Sequence, residues 1–122
     1  PMNVESAKQL LVAMSPRRMF TKVVESNKSQ VESYSKPKKE RYKKFAQDLV
    51  TVCVACIENM ALMACDYTKK FGSSNDTKAI LNLSVQSLQG KAGGESDTPV
   101  LPVCQGAIER IQAAFQSSNR GG

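Results

Sequence analysis

The sequence predicts an all-α fold: one small helical domain dominated by a long helix and completed as a dimeric helical bundle. Apolar residues recur at three- and four-residue spacing, which is the period of an amphipathic helix. The segment 38–71 contains neither Gly nor Pro, and no strand pattern stands out anywhere in the chain. With 122 residues, 41% of them hydrophobic, we expect one domain with a modest core.

The first half of the chain predicts three helices. A short one covers 4–14, and Ser15-Pro16 is a start signal for the second, because Ser caps helices and Pro suits their first turn. The second carries apolar residues through Tyr34 and is interrupted at Pro37, which lacks an N–H donor. The third runs from about Lys38 to Phe71.

The second half predicts two more helices. Asp76 is a candidate cap for a helix through Gln89, with Gly90 as its stop. The polar, Gly-rich stretch 90–99 is expected to be a linker, and Pro102 opens the last helix. We expect 117–122 to be a flexible tail, and we interpret Pro1, which precedes the first Met, as a remnant of tag removal.

The long helix is predicted to supply both core and dimer contacts. At 1.5 Å per residue it would extend about 50 Å, and its middle is apolar on most sides, so a second copy is expected to cover part of it. One apolar stripe consists of Tyr42, Ala46, Leu49, Cys53, Cys56, Met60, Met63 and Tyr67. Cys53, Cys56, Met60 and Met63 are therefore expected to lie in the core or in the dimer seam.

The four cysteines argue for a core role rather than a metal site. Cys53 and Cys56 form a CxxC, but a structural zinc site typically needs a second CxxC or a pair of His as well. Cys65 and Cys104 are isolated and the chain has no His, so that second pair of ligands is missing. Free thiols on apolar helical positions behave as small hydrophobes. They predict a reducing, intracellular location in the cytoplasm.

Neither an enzyme nor a membrane span is predicted. The absence of His removes the commonest general base, and no phosphate-binding or nucleophile motif is present, so no cofactor is expected. The apolar stretch Leu49–Cys65 has seventeen residues and contains Glu58 and Asn59, whereas a span needs about twenty apolar residues.

The positive charge is concentrated in the first third of the chain. Residues 1–45 contain eleven Lys or Arg against four Glu, a balance of +7, and residues 46–122 contain six against seven, a balance of −1. A basic cluster, defined here as Lys36, Lys38, Lys39, Arg41, Lys43 and Lys44, lies at the start of the long helix. Cations are unfavourable at a helix N-terminus, so a polyanionic partner would explain their placement.

Two further groups of cations extend this expected surface. The preceding helix is expected to enlarge the patch through Arg17, Arg18, Lys22 and Lys28, and Lys69 and Lys70 lie at the far end of the long helix. Arg41 and Lys69 would be about 42 Å apart along a straight helix, a spacing that suits a duplex lying along it. Lys69 and Lys70 also have a structural explanation, because cations complement the dipole at a helix C-terminus.

No sequence-reading motif or stacking platform accompanies the charge, which favours shape and backbone recognition, the usual mode for double-stranded RNA. The function predicted is non-enzymatic binding of duplex RNA by a homodimer. The alternative is a helical-bundle adaptor that binds a partner helix or an acidic protein surface, such as a component of the RNA-processing machinery. The adaptable Met60 and Met63 support that alternative.

Two short segments carry a family resemblance: Ala55-Cys56-Ile57 in the long helix, and Leu88-Gln89-Gly90-Lys91-Ala92, which Glu95 and Pro99 follow. With the small size, basic charge and dominant long helix, they resemble the double-stranded-RNA-binding silencing suppressors of insect nodaviruses, over about a third of the chain. The resemblance implies a viral helical homodimer that lies along RNA and withholds it from silencing in the host cell. The family's basic RNA contacts downstream of Cys56 are here Asn59 and Asp66.

Overall fold

The computed structural model describes residues 4–91 and 100–120, the last two of these by their backbone alone. Within these ranges the chain is helical and contains no strand, which confirms the all-α prediction and the dominance of one long helix. The helices are α1 (Val4–Ala13), α2 (Pro16–Phe20), a π-helical turn (Thr21–Glu25), α3 (Lys28–Glu32), α4 (Lys36–Phe71), α5 (Asn75–Leu88) and α6 (Pro102–Arg120).

Helix α4 is the centre of the fold. Helices α5 and α6 pack along it, α1 packs on α5, and α2 packs on the N-terminal half of α4. Ile57, Ala61 and Ala64 are fully buried where these neighbours meet, and the two alanines allow the backbones of adjacent helices to approach closely. Ile80 of α5 and Ile108 of α6 complete this part of the core.

The buried face of α4 is offset by about one residue from the apolar stripe that we expected to supply the core or the dimer seam. The buried positions are Ala46, Val50, Cys53, Val54, Ile57, Ala61, Ala64, Cys65 and Thr68. Cys53 is in the core and Met60 packs against it, but Cys56 and Met63 are exposed. Because apolar residues surround the middle of α4, periodicity alone could not select its inward face. The small alanines lie inward, where they let α5 and α6 pack closely.

The expected second helix is broken into three pieces. Side chains that bond to the backbone compete with regular helix here: Asn27 Nδ2 donates to the carbonyls of Lys22 and Val23, and Ser26 Oγ donates to that of Thr21. The Tyr42 hydroxyl of α4 also donates to the Val23 carbonyl. These bonds satisfy carbonyls around the π-helical turn and tie it to α4.

Helix boundaries also differ from those expected. Pro37 lies within the first turn of α4, where its missing N–H costs nothing, so α4 begins at Lys36 after Ser35. Ser74 rather than Asp76 caps α5, through a capping box in which the Thr77 N–H donates to Ser74 Oγ at 3.2 Å.

The ends of α5 and α6 bear on the expected linker and tail. Gly90 ends α5 with a φ of +77°, and the Lys91 N–H donates back to the Gln86 carbonyl at 2.9 Å. Helix α6 starts at Pro102 as expected and continues to Arg120, beyond the Ser117 at which we expected a tail. Residues 92–99 of the expected linker, residues 121–122 of the tail and Pro1 lie outside the described residues.

Candidate nucleic-acid interface

All six residues of the basic cluster are exposed in the first three turns of α4. The first turn contains no acidic residue, and the Ser35 side chain makes no capping hydrogen bond. Among the cluster and its near neighbours, one ion pair is formed: Lys44 Nζ lies 3.1 Å from Asp48 Oδ2, with both side chains largely solvent-exposed. Such a pair contributes little to stability, so the cluster retains a strong local excess of positive charge.

The cluster surrounds the helix rather than lying on one face. At 3.6 residues per turn, Lys36, Lys39 and Lys43 share one side. The other three, Lys38, Arg41 and Lys44, follow one another at three-residue spacing on the opposite side. A single flat surface cannot contact all six, whereas a groove that wraps around the helix end can.

Aromatic side chains support the start of α4. Lys38 Nζ lies 4.1 Å from the centroid of the Tyr34 ring, a cation–π contact. Tyr34 and Tyr42 meet edge to face at 6.3 Å between centroids, and Phe45 lies at the same distance from Tyr42. Tyr34 and Tyr42 are partly buried, and Tyr42 bonds to Val23 of the π-helical turn, whereas Phe45 is exposed. The three rings therefore do not form one free stacking platform.

Of the two arginines of α2 that were expected to enlarge the basic patch, Arg17 lies at the end of α5 instead. Both are half-buried, and Arg17 lies beside Gly90, with its Nε 2.9 Å from the position a Cβ would occupy there. Arg17 is therefore held at the C-terminal end of α5, where helix carbonyls attract a cation. Lys28 of α3 instead lines the same groove as Lys39 and Lys43.

Lys69 and Lys70 are exposed in the last turn of α4. Because α4 is continuous from Lys36 to Phe71, Lys69 is about 42 Å from Arg41 along the axis, as expected. The surface between them is less basic. Asn59 and Asp66 are exposed there, and Glu58 pairs with Arg110 of α6 through oxygens 2.7 and 2.8 Å from Nε and Nη2. The hydrogen bond to Arg110 lowers the pKa of Glu58 despite its partial burial.

An apolar stripe of α4 remains largely uncovered. Its exposed members are Phe45, Val52, Cys56, Met63, Tyr67 and Phe71, along about 39 Å of helix, with the partly buried Leu49 and Met60 between them. Met63 is 70% exposed and Phe71 72%, and the rings of Tyr67 and Phe71 contact each other at a tilt of 45°, with centroids 4.8 Å apart. Periodicity in the sequence identified most of this stripe and predicted that it lies in the core or in the dimer seam.

The thiols differ in their surroundings. Cys53, Cys65 and Cys104 are buried and Cys56 is exposed, all four being free. Burial raises the pKa of the Cys104 thiol to about 11 and also raises those of Cys53 and Cys65. In the described residues, no three His, Cys, Asp or Glu side chains group as metal ligands.

By length and mean hydropathy, α4 is the one described helix that could cross a membrane, and 39% of its most apolar window is buried in the fold. A central core helix of a soluble protein meets the same criterion.

Comparison with protein-family models, with curated proteins and with solved structures finds no significant match to this chain.

Proposed function

We propose that this chain is a non-enzymatic double-stranded-RNA-binding protein that acts as a homodimer in the cytoplasm. One observation carries the proposal. Six exposed cations crowd the N-terminal end of α4, where the helix dipole disfavours them. Glu40 is the one acidic residue among them, and Lys44 pairs with Asp48, so the charge there remains strongly positive. Phosphates along a nucleic-acid backbone would relieve this electrostatic cost.

The dimer rests on the uncovered apolar stripe of α4. A contiguous row of large apolar side chains on a small protein marks an association surface, and a second copy offers the same row in return. Pairing along α4 would also bring two basic clusters into one assembly, so that cations would recur over a length suited to successive grooves of a duplex.

The biological role follows from the binding mode and from the nodavirus resemblance. A protein that binds duplex RNA without reading its sequence would withhold it from processing nucleases, and so suppress RNA silencing in a host cell. Protection of a long duplex from an RNase III-type nuclease, at protein concentrations that saturate binding, tests this role separately from binding itself.

Fluorescence anisotropy with a labelled RNA duplex tests the binding. If six phosphates are neutralised, raising monovalent salt from 50 to 200 mM should lower the affinity by about a thousandfold. Duplexes of unrelated sequence should bind equally, and single-stranded RNA and duplex DNA should bind more weakly. Affinity that is insensitive to salt, or no binding at 50 mM salt, would contradict the proposal.

A charge-neutralised variant tests the site. Lys38→Gln with Arg41→Gln removes two cations of the cluster from each protomer and should make the slope of log K against log salt shallower by about 1.8 for each protomer that contacts the duplex. The matched control is Lys8→Gln with Lys78→Gln, which removes two exposed lysines of α1 and α5. Equal slopes for the two double variants would show that binding is set by net charge rather than by this cluster.

A further inference from the structure

A second candidate site lies along the first half of α4 and includes Lys39 and Lys43 of the basic cluster. It is an open groove of about 710 Å³, called here the α4 groove. The π-helical turn contributes Val24 to its wall, α4 contributes Tyr42 and Val50, and the start of α6 contributes Leu101 and Val103. Leu101 and Val103 are each about 40% exposed, which leaves apolar surface in contact with water.

The dimensions of the α4 groove match a short helix. Lys39 and Thr51 both line it, and they are about 18 Å apart along α4, the length of a helix of about twelve residues. The groove is open to solvent along its side, so its occupant needs one apolar face and one hydrated face. An amphipathic helix has both.

The charge around the groove favours an acidic occupant. Lys28 lies on its α3 side and Lys39 and Lys43 on its α4 side, with Glu32 as the one acidic residue among the described residues that line it. Carboxylates on both flanks of an apolar row would meet these lysines, whereas lysines there would be repelled.

A second groove of similar size is also open to solvent, but its lining is less suited to the apolar face of a helix. It has a volume of about 730 Å³ between α5 and α6, and its lining includes Asn82, Gln86, Gln112 and Gln116. Amides that are hydrated in the free protein would lose water to an apolar occupant. The α4 groove lacks this penalty along most of its lining.

The geometry points to the α4 groove as a docking site for an acidic amphipathic helix of a protein partner. This activity is additional to RNA binding, yet it shares Lys39 and Lys43 with the basic cluster. Partner and duplex therefore compete, and a bound partner helix releases RNA.

The probe is a fluorescein-labelled amphipathic peptide with leucines at i, i+4, i+7 and i+11 and glutamates on both flanks. Leu101→Gln should weaken its binding by about tenfold, the loss of about 1.4 kcal/mol. Leu10→Gln is the matched control: Leu10 is 45% exposed, against 40% for Leu101, and lies on α1 outside the groove. It should change the affinity by less than about twofold.

Three further measurements complete the test. The same peptide with lysine in place of glutamate should bind at least tenfold more weakly, and excess acidic peptide should displace labelled duplex. Leu101→Gln should leave duplex affinity unchanged. Peptide binding that depends on Leu101 in a protein that ignores RNA would support this site while refuting the proposed RNA function.

Several outcomes would overturn the inference. Equal affinity of the acidic and basic peptides would remove the charge argument, and equal effects of Leu101→Gln and Leu10→Gln would place the peptide elsewhere. Binding of a fluorescent fatty acid at Leu101, with no peptide binding, would identify the groove as an acyl-chain site instead.

Discussion

Two serines of α5 provide a matched test of how the helices are held together. Ser84 and Ser87 are one turn apart and both are fully buried. Ser87 Oγ donates at 2.7 Å to the carbonyl of Leu11 in the last turn of α1, where helix carbonyls lack an intrahelical donor. Ser84 Oγ donates at 2.7 Å to Ile80 within its own helix, to a carbonyl that the helix already satisfies.

The two alanine substitutions should therefore differ in cost. Ser87→Ala leaves the buried carbonyl of Leu11 without the serine hydroxyl as donor, which should lower the free energy of unfolding by about 1–3 kcal/mol. Ser84→Ala removes a hydrogen bond to the Ile80 carbonyl, which the helix already satisfies. Bonds from a serine to the carbonyl four residues back slightly destabilise helices, so we expect the free energy of unfolding to change by no more than about 0.5 kcal/mol.

Urea unfolding followed by circular dichroism measures the difference. With an m-value of about 1–3 kcal/mol/M, a loss of about 2 kcal/mol lowers the midpoint by roughly 1 M. All variants are compared at one protein concentration, because association raises apparent stability. Equal midpoints for Ser84→Ala and Ser87→Ala would refute the reasoning that the hydrogen bond between α1 and α5 contributes more to stability than the one within α5.

Two more predictions concern titratable groups. The pKa of Glu58 is lowered below its ordinary value near 4.5 by the hydrogen bond from Arg110, so its stabilising effect is present above that pH and is lost as the pH falls through the lowered pKa. Glu58→Gln should therefore destabilise the protein at pH 7, and the difference from the wild type should shrink below pH 4; a difference that grows with acid would contradict the assignment. Cys56 should react with a thiol reagent at pH 7.5 well before the buried cysteines, with Cys104 slowest because its pKa is raised to about 11. Mass spectrometry of partly labelled protein gives the order, and labelling of Cys104 first would show that α6 opens readily.

The helical class, the long helix and most helix boundaries could be predicted from the sequence because they depend on local signals. The stretch from 38 to 71 contains no Gly or Pro that would interrupt a helix, and Gly72, Gly90 and Pro102 act within a turn of their own position. The concentration of charge near Lys36–Lys44 is likewise a property of sequence alone, and its exposure follows from the cost of burying lysine.

The inward face of α4 and the grouping of the cations depended on tertiary contacts. Many positions in the middle of α4 are apolar, so only the approach of α5 and α6 determined that Ile57 and Ala61 are buried while Met63 remains exposed. Contacts between residues far apart in the sequence determined two other features. Tyr42 bonds to Val23 at the π-helical turn, and Arg17 lies beside Gly90 rather than with the basic cluster. Local periodicity determines which residues share a helix face, but the face that is buried depends on neighbours from elsewhere in the chain.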